Sequence, residues 1–154
     1  MSLIQNILDD TVQDRKRGLD YAAYAVTRDS GAAGESELRI LLRSHHIQIE
    51  ILLKKFGCVG RTPTEQVELW EQLLPRVHGA LRGLDREFVR TGQGENVRVV
   101  FDIDMGGLYY TRIGTHAVLF GATLDQDEVN NGRCERDMYR MVAQIEAVST
   151  SHGA

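Results

Sequence analysis

Cysteine is nearly absent: the 154 residues hold only Cys58 and Cys134. Two thiols without paired spacing offer neither a disulfide framework nor a metal-type signature. They suit a reducing, cytoplasmic compartment, with burial as their ordinary role. Long apolar runs are lacking too, since no stretch approaches the ~20 residues of a membrane helix. The opening "MSLIQNILDDTVQDRKRG" turns acidic before a signal-peptide core could form, so the expectation is a soluble chain with no membrane insertion and no export by that route. Clustered positive charge is scarce as well. The formal net charge is -4, the sequence pI is about 5.7, and the one tight basic run, Arg15-Lys16-Arg17, reads as a solvated helix face. Nucleic acid is therefore not an expected partner, because non-specific binding to it rests on grouped Lys and Arg. Missing finally are a G-x-x-x-x-G-K-[ST] phosphate loop, a G-x-S-x-G elbow and a local Cys-His signature, and no cofactor is expected.

What is present is an ordinary globular composition, 42% hydrophobic and 26% charged, in a length that suits one domain spanning residues 1–148. Leu3, Ile4, Ile7, Leu8 and Val12 recur at helical spacing. In "LDYAAYAVTRDSGAAGES", Tyr24 and Val26 suit a strand, the alanines suit a helix, and "RDSG" is turn chemistry, so it reads as a strand, a turn and a second short strand, with a helix as the alternative. Leu38, Leu41, Leu42, Ile49, Leu52, Leu53 and Phe56 recur at threes and fours before Gly57, which predicts a helix from Ser36 to Phe56 and a mostly helical part over 1–61. Thr62 with Glu65 forms a capping box and Pro63 takes the first helical position, so a central helix covers 62–90. Its residues Val67, Trp70, Leu74, Val77, Leu81, Leu84 and Phe88 make one narrow seam, and Pro75 predicts a kink or break. Gly79 and Gly83 weaken its second half unless another backbone packs close to them.

Alternation of Val97, Val99, Phe101 and Ile103 with Arg98, Val100, Asp102 and Asp104 is the period of a half-buried strand. Gly106-Gly107 fits a hairpin turn, "LYYTRI" a second strand, Gly114-Thr115 another turn and "HAVLFGAT" a third strand. The expected class is thus α+β, with a three-stranded antiparallel meander over 96–123 flanked by helices. A final helix over 132–148 carries Cys134, Met138, Met141, Ile145 and Val148 on one stripe, with Asn130 or Asn131 as its cap, and residues 149–154 should fray.

"VVFDIDMGGL" invites a catalytic reading. A D-x-D at the end of an apolar strand is similar to the start of haloacid-dehalogenase-like phosphatases, in which the first Asp is nucleophile, the second is acid and base, and magnesium bridges the oxygens. That family continues with one Gly and a Thr or Val, whereas Met105, Gly106 and Gly107 stand here. The 50 residues after Asp104 contain no Lys. A meander also turns Asp102 and Asp104 outward, where solvated carboxylates need no metal and are free to meet a partner. "DQDEVNNG" has Val129 and Asn130 where a calcium loop needs a ligand and a glycine, so it reads as an acidic helix N-terminus. His46 and Glu50, four apart on the expected helix, do not close a metal site by themselves. Tyr109 and Tyr110 read as hairpin packing, or less simply as a stacking platform.

Taken together, "NVRVVFDIDMGGLYYTRIGTHAVLFGATLDQDEVNNGRCERDMYRMVAQIEAV" resembles the C-terminal half of a roadblock/LC7 domain, with the match running over about 62–148 once the Trp70 helix is taken as the family's central helix. "LIQNILDDTVQDRKRG" resembles that family's first helix and "YAAYAVTRDSGAAGES" its first hairpin. The helix from Ser36 to Phe56 is an extra helical segment. The resemblance implies homodimerisation through the central helix and the sheet edge, and a non-catalytic role as regulator or adaptor of a Ras-like small GTPase. Trp70, Gly79, Gly83, Asp102, Asp104, Tyr109 and Tyr110 are the expected interaction residues. The competing readings are a magnesium-dependent phosphatase using Asp102 and Asp104, and a helical adaptor or secretion-type chaperone.

Overall fold

The computed structural model describes residues 2–13, 18–29, 36–56 and 61–151. Their order is α1 (Ser2–Val12), β1 (Tyr21–Asp29), β2 (Ser36–His45), α2 (Ile49–Phe56), α3 (Pro63–Arg90), β3 (Arg98–Ile103), β4 (Gly106–Ile113), β5 (Ala117–Thr123), α4 (Gln126–Asn130) and α5 (Arg133–Ser151). The five strands form one antiparallel sheet in the order β2-β1-β5-β4-β3. Both of its faces are covered. Tyr21, Tyr110, Val118 and Phe120 pack on one face with Leu52 of α2 and Trp70, Leu74 and Leu81 of α3. Ala22, Tyr109 and Leu119 pack on the other with Leu8 of α1 and Met138, Met141 and Ile145 of α5. Burial on two sides removes the polar alternation of a half-exposed sheet, which is why β5 is buried at every position.

Local chemistry sets the ends of these elements. Thr62 Oγ1 accepts from the Glu65 N–H at 3.1 Å and Glu65 Oε1 reaches back to the Thr62 N–H, so the capping box starts α3. The helix then runs unbroken across Pro75 for 28 residues. Asp125 caps the short α4, whose first turn holds Asp127 and Glu128, and Asn131 Oδ1 accepts from the Arg133 N–H at the start of α5. Asp20, buried before β1, accepts from the Leu124 N–H at 2.8 Å and ties the entry of β1 to the exit of β5. Tyr21 stacks on Trp70 with ring centroids 5.6 Å apart and donates its hydroxyl to Glu71.

Several expectations fail for identifiable reasons. Ser36–His45 is a strand, and only Ile49–Phe56 of the expected helix is helical, so the described residues of the N-terminal part are as much strand as helix. The pairing of Tyr24 with Leu42 and of Ala25 with Ile40 leaves Leu41 as an extra residue in β2. That bulge turns Leu38 and Ile40 to the α3 face and Leu42 to the α1 face, which scrambles a two-residue period into an apparent helical one. The first hairpin turn is Asp104-Met105 rather than Gly106-Gly107, since Ile103 pairs with Gly106. Gly106 serves a different need: at φ 129°, a Cβ there would lie 1.9 Å from the Thr123 carbonyl oxygen. The final helix, α5, extends to Ser151, three residues past the expected end at 148. His46 precedes α2, so it does not share a helix face with Glu50. The basic run at 15–17, Cys58, and Ser30 and Gly31 of the expected "RDSG" turn lie outside the described residues. Among those described, no helix is long and apolar enough to cross a membrane.

Candidate functional site

Along α3 the apolar seam does not stay in the core. A strict three-four spacing drifts by about 20° per heptad on a straight helix, so over three heptads the stripe rotates outward. Val67, Trp70, Leu74 and Leu81 are buried, while Leu84 and Phe88 are exposed, as is Leu69 beside the seam, and Leu73 and Val77 are half-buried. Farther round the same helix, a Cβ on Gly79 would have no heavy atom of the described residues within 4 Å apart from its own helix backbone, and one on Gly83 only Arg86 Nη2 at 3.8 Å. The outer side of α3 is thus a ridge of large apolar residues beside a strip of bare backbone.

The same apolar surface continues to the sheet edge next to it. Val99 and Phe101 of β3 pack against the core that holds Leu73 and Val77; Val97, Ile103 and Met105 are between 44% and 48% exposed, and Val100, 44% exposed, lies on the α5 side of the same strand. Among the described residues, β3 has a strand neighbour on one side only. Because the Arg112 N–H donates to the Val97 carbonyl, the register turns the backbone N–H and C=O of Arg98, Val100 and Asp102 away from β4. The opposite edge is built differently. The same reasoning turns the carbonyls of Arg43 and His45 outward on β2, but Gln5 of α1 and Gln13, the residue after it, donate their side-chain amides to them at 2.9 and 2.8 Å. Exposed Glu37, Arg39, Arg43 and His45 add charge there. An open, apolar edge faces one way and a plugged, charged edge the other.

On the far side of α3, a cavity of about 360 Å³ lies between its second half, the loop after it and the β4–β5 hairpin. Glu95 bridges Arg82 at 3.4 Å and Arg112 in a close ion pair. Asp85 accepts from the backbone N–H of Asn96 at 2.7 Å and from its side-chain amide at 2.5 Å. His78, buried, has Nδ1 2.7 Å from the Tyr110 hydroxyl. Burial and then the neighbouring Arg82 charge hold its pKa below the usual 6.5, while burial and Asp85 push the Tyr110 hydroxyl up to about 12. Both groups are therefore neutral at pH 7. On the opposite face of the sheet, burial and nearby carboxylates raise the Cys134 thiol to about 12, so it is an inert core group.

The residues expected to meet a partner divide sharply. Trp70, Tyr109 and Tyr110 are core residues, which removes them from any surface, and the two tyrosines face opposite sides of the sheet. Gly79 and Gly83 are on the outer side of α3. Asp102 and Asp104 do not share a strand face. Asp102 is on β3, where it accepts from Gln126 Nε2 at 2.5 Å, and Asp104 is in the turn. Among the described residues no group of three or more His, Cys, Asp or Glu is placed to hold a metal. Sequence reasoning missed Leu69, Val100 and Met105. The signal was there for Val100 alone, an apolar residue out of phase in the β3 alternation.

No protein-family model and no curated protein matches the chain. Solved structures do. The gliding protein MglB from Thermus thermophilus superposes with a TM-score of 0.63 at 16% identity, over 97% of this chain and 90% of that one. MglB from Myxococcus xanthus gives 0.58 at 12% identity over the same shares, 97% and 90%. An MglB structure with a tetrameric arrangement gives 0.57 at 17% identity, over 92% of this chain and 83% of the other. The similarity shows a shared fold, the roadblock fold that the sequence resemblance implied: an antiparallel sheet flanked by helices.

Proposed function

We propose that this roadblock-fold chain works as a cytoplasmic, non-catalytic homodimer that binds and regulates a Ras-like small GTPase. The observation that carries the dimer is the self-complementarity of β3. If two copies of β3 pair antiparallel about a twofold axis through Val100, the outward N–H and C=O groups of Arg98, Val100 and Asp102 meet their counterparts. The same register sets Arg98 opposite the partner's Asp102 twice over. One strand thus supplies the backbone pairing, the apolar centre and both signs of charge. The exposed ridge of α3 lies beside it and extends the contact. The GTPase role rests on the roadblock resemblance and on the fold shared with the MglB structures.

Charge exchange tests the pairing. Opposite charges across a strand pair are worth roughly 0.2–1 kcal/mol and like charges are unfavourable by similar amounts. Asp102→Arg or Arg98→Asp alone should then weaken the dimer by about tenfold, and the double exchange should restore it. Sedimentation equilibrium reads this directly, and failure of the double variant to recover would overturn the register. Capture of small GTPases from native lysate with and without added GTP, using the wild-type chain and Asp102→Arg in parallel, tests the second part. Absence of any enriched GTPase would sink the regulatory reading while leaving the dimer untouched.

A further inference from the structure

We propose that Tyr139 and Gln126 fit the β3 edge to a second copy of this chain, by holding Arg98 and Asp102 where a twofold pairing needs them. The inference rests on the β3 pairing proposed above and says what makes that pairing selective. Arg98, Val100 and Asp102 point to one side of the sheet, the side that carries Tyr109 and α5. Two charges of opposite sign therefore stand four residues apart on an exposed strand, with Val100 between them. Neither belongs to an ion pair among the described residues. Each is held instead by a neutral side chain from a helix. The Arg98 guanidinium lies over the Tyr139 ring, 4.8 Å from its centroid, and Nη1 donates to the Tyr139 hydroxyl at 3.3 Å. That hydroxyl donates in turn to Glu135 Oε1 at 3.4 Å, one turn back on α5. Asp102 Oδ1 accepts from Gln126 Nε2 at 2.5 Å, and Gln126 Oε1 accepts from the Gly106 N–H at 3.2 Å.

An exposed arginine has many rotamers, and fixing one of them at an interface weakens binding. Here the stack on Tyr139 and the hydrogen bond to its hydroxyl fix Arg98 before a partner arrives. Among the described residues, Nη1 is the one nitrogen of Arg98 that donates a hydrogen bond, and Asp102 Oδ2 accepts none. The rest of the guanidinium fork and that second oxygen are left for a partner. In the twofold register each Arg98 stands opposite the partner's Asp102 in a hydrogen-bonded pair, with Cα atoms about 5.5 Å apart. A strand that reads plus, apolar, minus in one direction reads minus, apolar, plus in the other. The antiparallel complement of this edge is therefore the same edge. A strand with another spacing would set both held charges against apolar or like-charged neighbours, which rejects it.

Sedimentation equilibrium of the full chain and its variants tests the proposal. Tyr139→Leu should raise the dimer Kd about fivefold, because each dimer holds the contact twice, and Tyr139→Phe, which keeps a ring under Arg98, should raise it less. Gln126→Glu keeps the acceptor for Gly106 but turns a second acceptor toward Asp102, and should also weaken the dimer about fivefold. Both effects should disappear with the charge they act through. In an Arg98→Gln chain Tyr139→Leu should change nothing further, and in an Asp102→Asn chain the same holds for Gln126→Glu. Mixed with an Asp102→Arg chain, the native chain should prefer itself about tenfold, and Tyr139→Leu in both chains should reduce that preference. An unchanged urea midpoint in dilute samples shows that the variants fold. Suppose the native chain dimerises and the Arg98 and Asp102 exchange behaves as expected, yet Tyr139→Leu and Gln126→Glu associate like the native chain. The positioning role then falls and the β3 pairing stands. An effect of Tyr139→Leu that persists in full in the Arg98→Gln chain would mean that Tyr139 touches the partner itself, and would also overturn the role. A native chain that stays monomeric at tens of micromolar would remove the pairing and this inference together.

Discussion

Replacing Gly79 and Gly83 by alanine should make the separate chain more stable and the assembled one less so. In an exposed helix interior alanine is worth about 0.8–1.0 kcal/mol over glycine. A Cβ at Gly79 meets nothing within 4 Å and one at Gly83 comes only to 3.8 Å of Arg86 Nη2, so no steric cost offsets the gain. The two together amount to about 2 kcal/mol, which for a chain of this size raises Tm by about 4–8 °C. The urea midpoint should rise by about 1 M. Across a helix-to-helix contact the same methyl groups have the opposite effect, because inserting carbon into a packed interface costs typically 1–3 kcal/mol. The Kd of the proposed dimer should therefore rise about tenfold or more. Urea denaturation well below the association midpoint reads the first quantity and sedimentation equilibrium the second. Lower stability in the dilute variant would refute the claim that these positions face open space. Higher stability with unchanged association would remove the glycine strip from the interface.

Other consequences can be checked separately. Gly106→Ala sets a Cβ against the Thr123 carbonyl at a positive φ and should cost at least about 3 kcal/mol or prevent folding, seen as loss of the cooperative melt. Asp20→Ala strips the Leu124 N–H of its buried acceptor and should lower unfolding free energy by about 1–3 kcal/mol in urea titration. For His78, packed beside Tyr110, Arg82 and Asp85, the folded pKa lies below the unfolded 6.5. As pH falls through 6.5 the unfolded chain takes up a proton that the folded chain resists, so this contribution is complete above 6.5 and is lost below it. His78→Gln should flatten the acid side of a plot of urea midpoint against pH, and an unchanged slope would contradict the shift.

The parts legible in the sequence are those where one local rule acts alone. Thr62 and Glu65 announce α3, the Cys134 to Ile145 stripe announces α5, and the turn at Gly114 separates two strands as expected. The N-terminal strands were harder to read because two rules overlap there. The bulge at Leu41 shifts β2 from one face of the sheet to the other midway, and a single apolar period cannot describe a strand that changes faces. The glycine pair misled for a related reason. A glycine demanded by the close approach of Thr123 looks, in sequence, like one demanded by a turn. At the candidate site, Gly79 and Gly83 were readable because glycine inside a helix needs an explanation. The outward drift of the α3 seam was not, since the spacing that marks Leu84 and Phe88 as apolar says nothing of which way they point. The convergence of Arg82, Glu95 and Arg112 joins a helix, a loop and a strand, and no local motif records it.

Gln5 of α1 and Gln13 just after it bear on how many copies can join. A sheet with two receptive borders can add chains head to tail without limit and grow into a ribbon. With Gln5 and Gln13 seated on the carbonyls of β2, growth by strand addition has one direction only, and a twofold pairing at β3 uses that direction up. The ten strands of such a pair would end, on both sides, in a border already closed from within each chain. In such a pair two side-chain amides, one on α1 and one just past its end, would act as the terminator of a polymer that the sheet could otherwise begin.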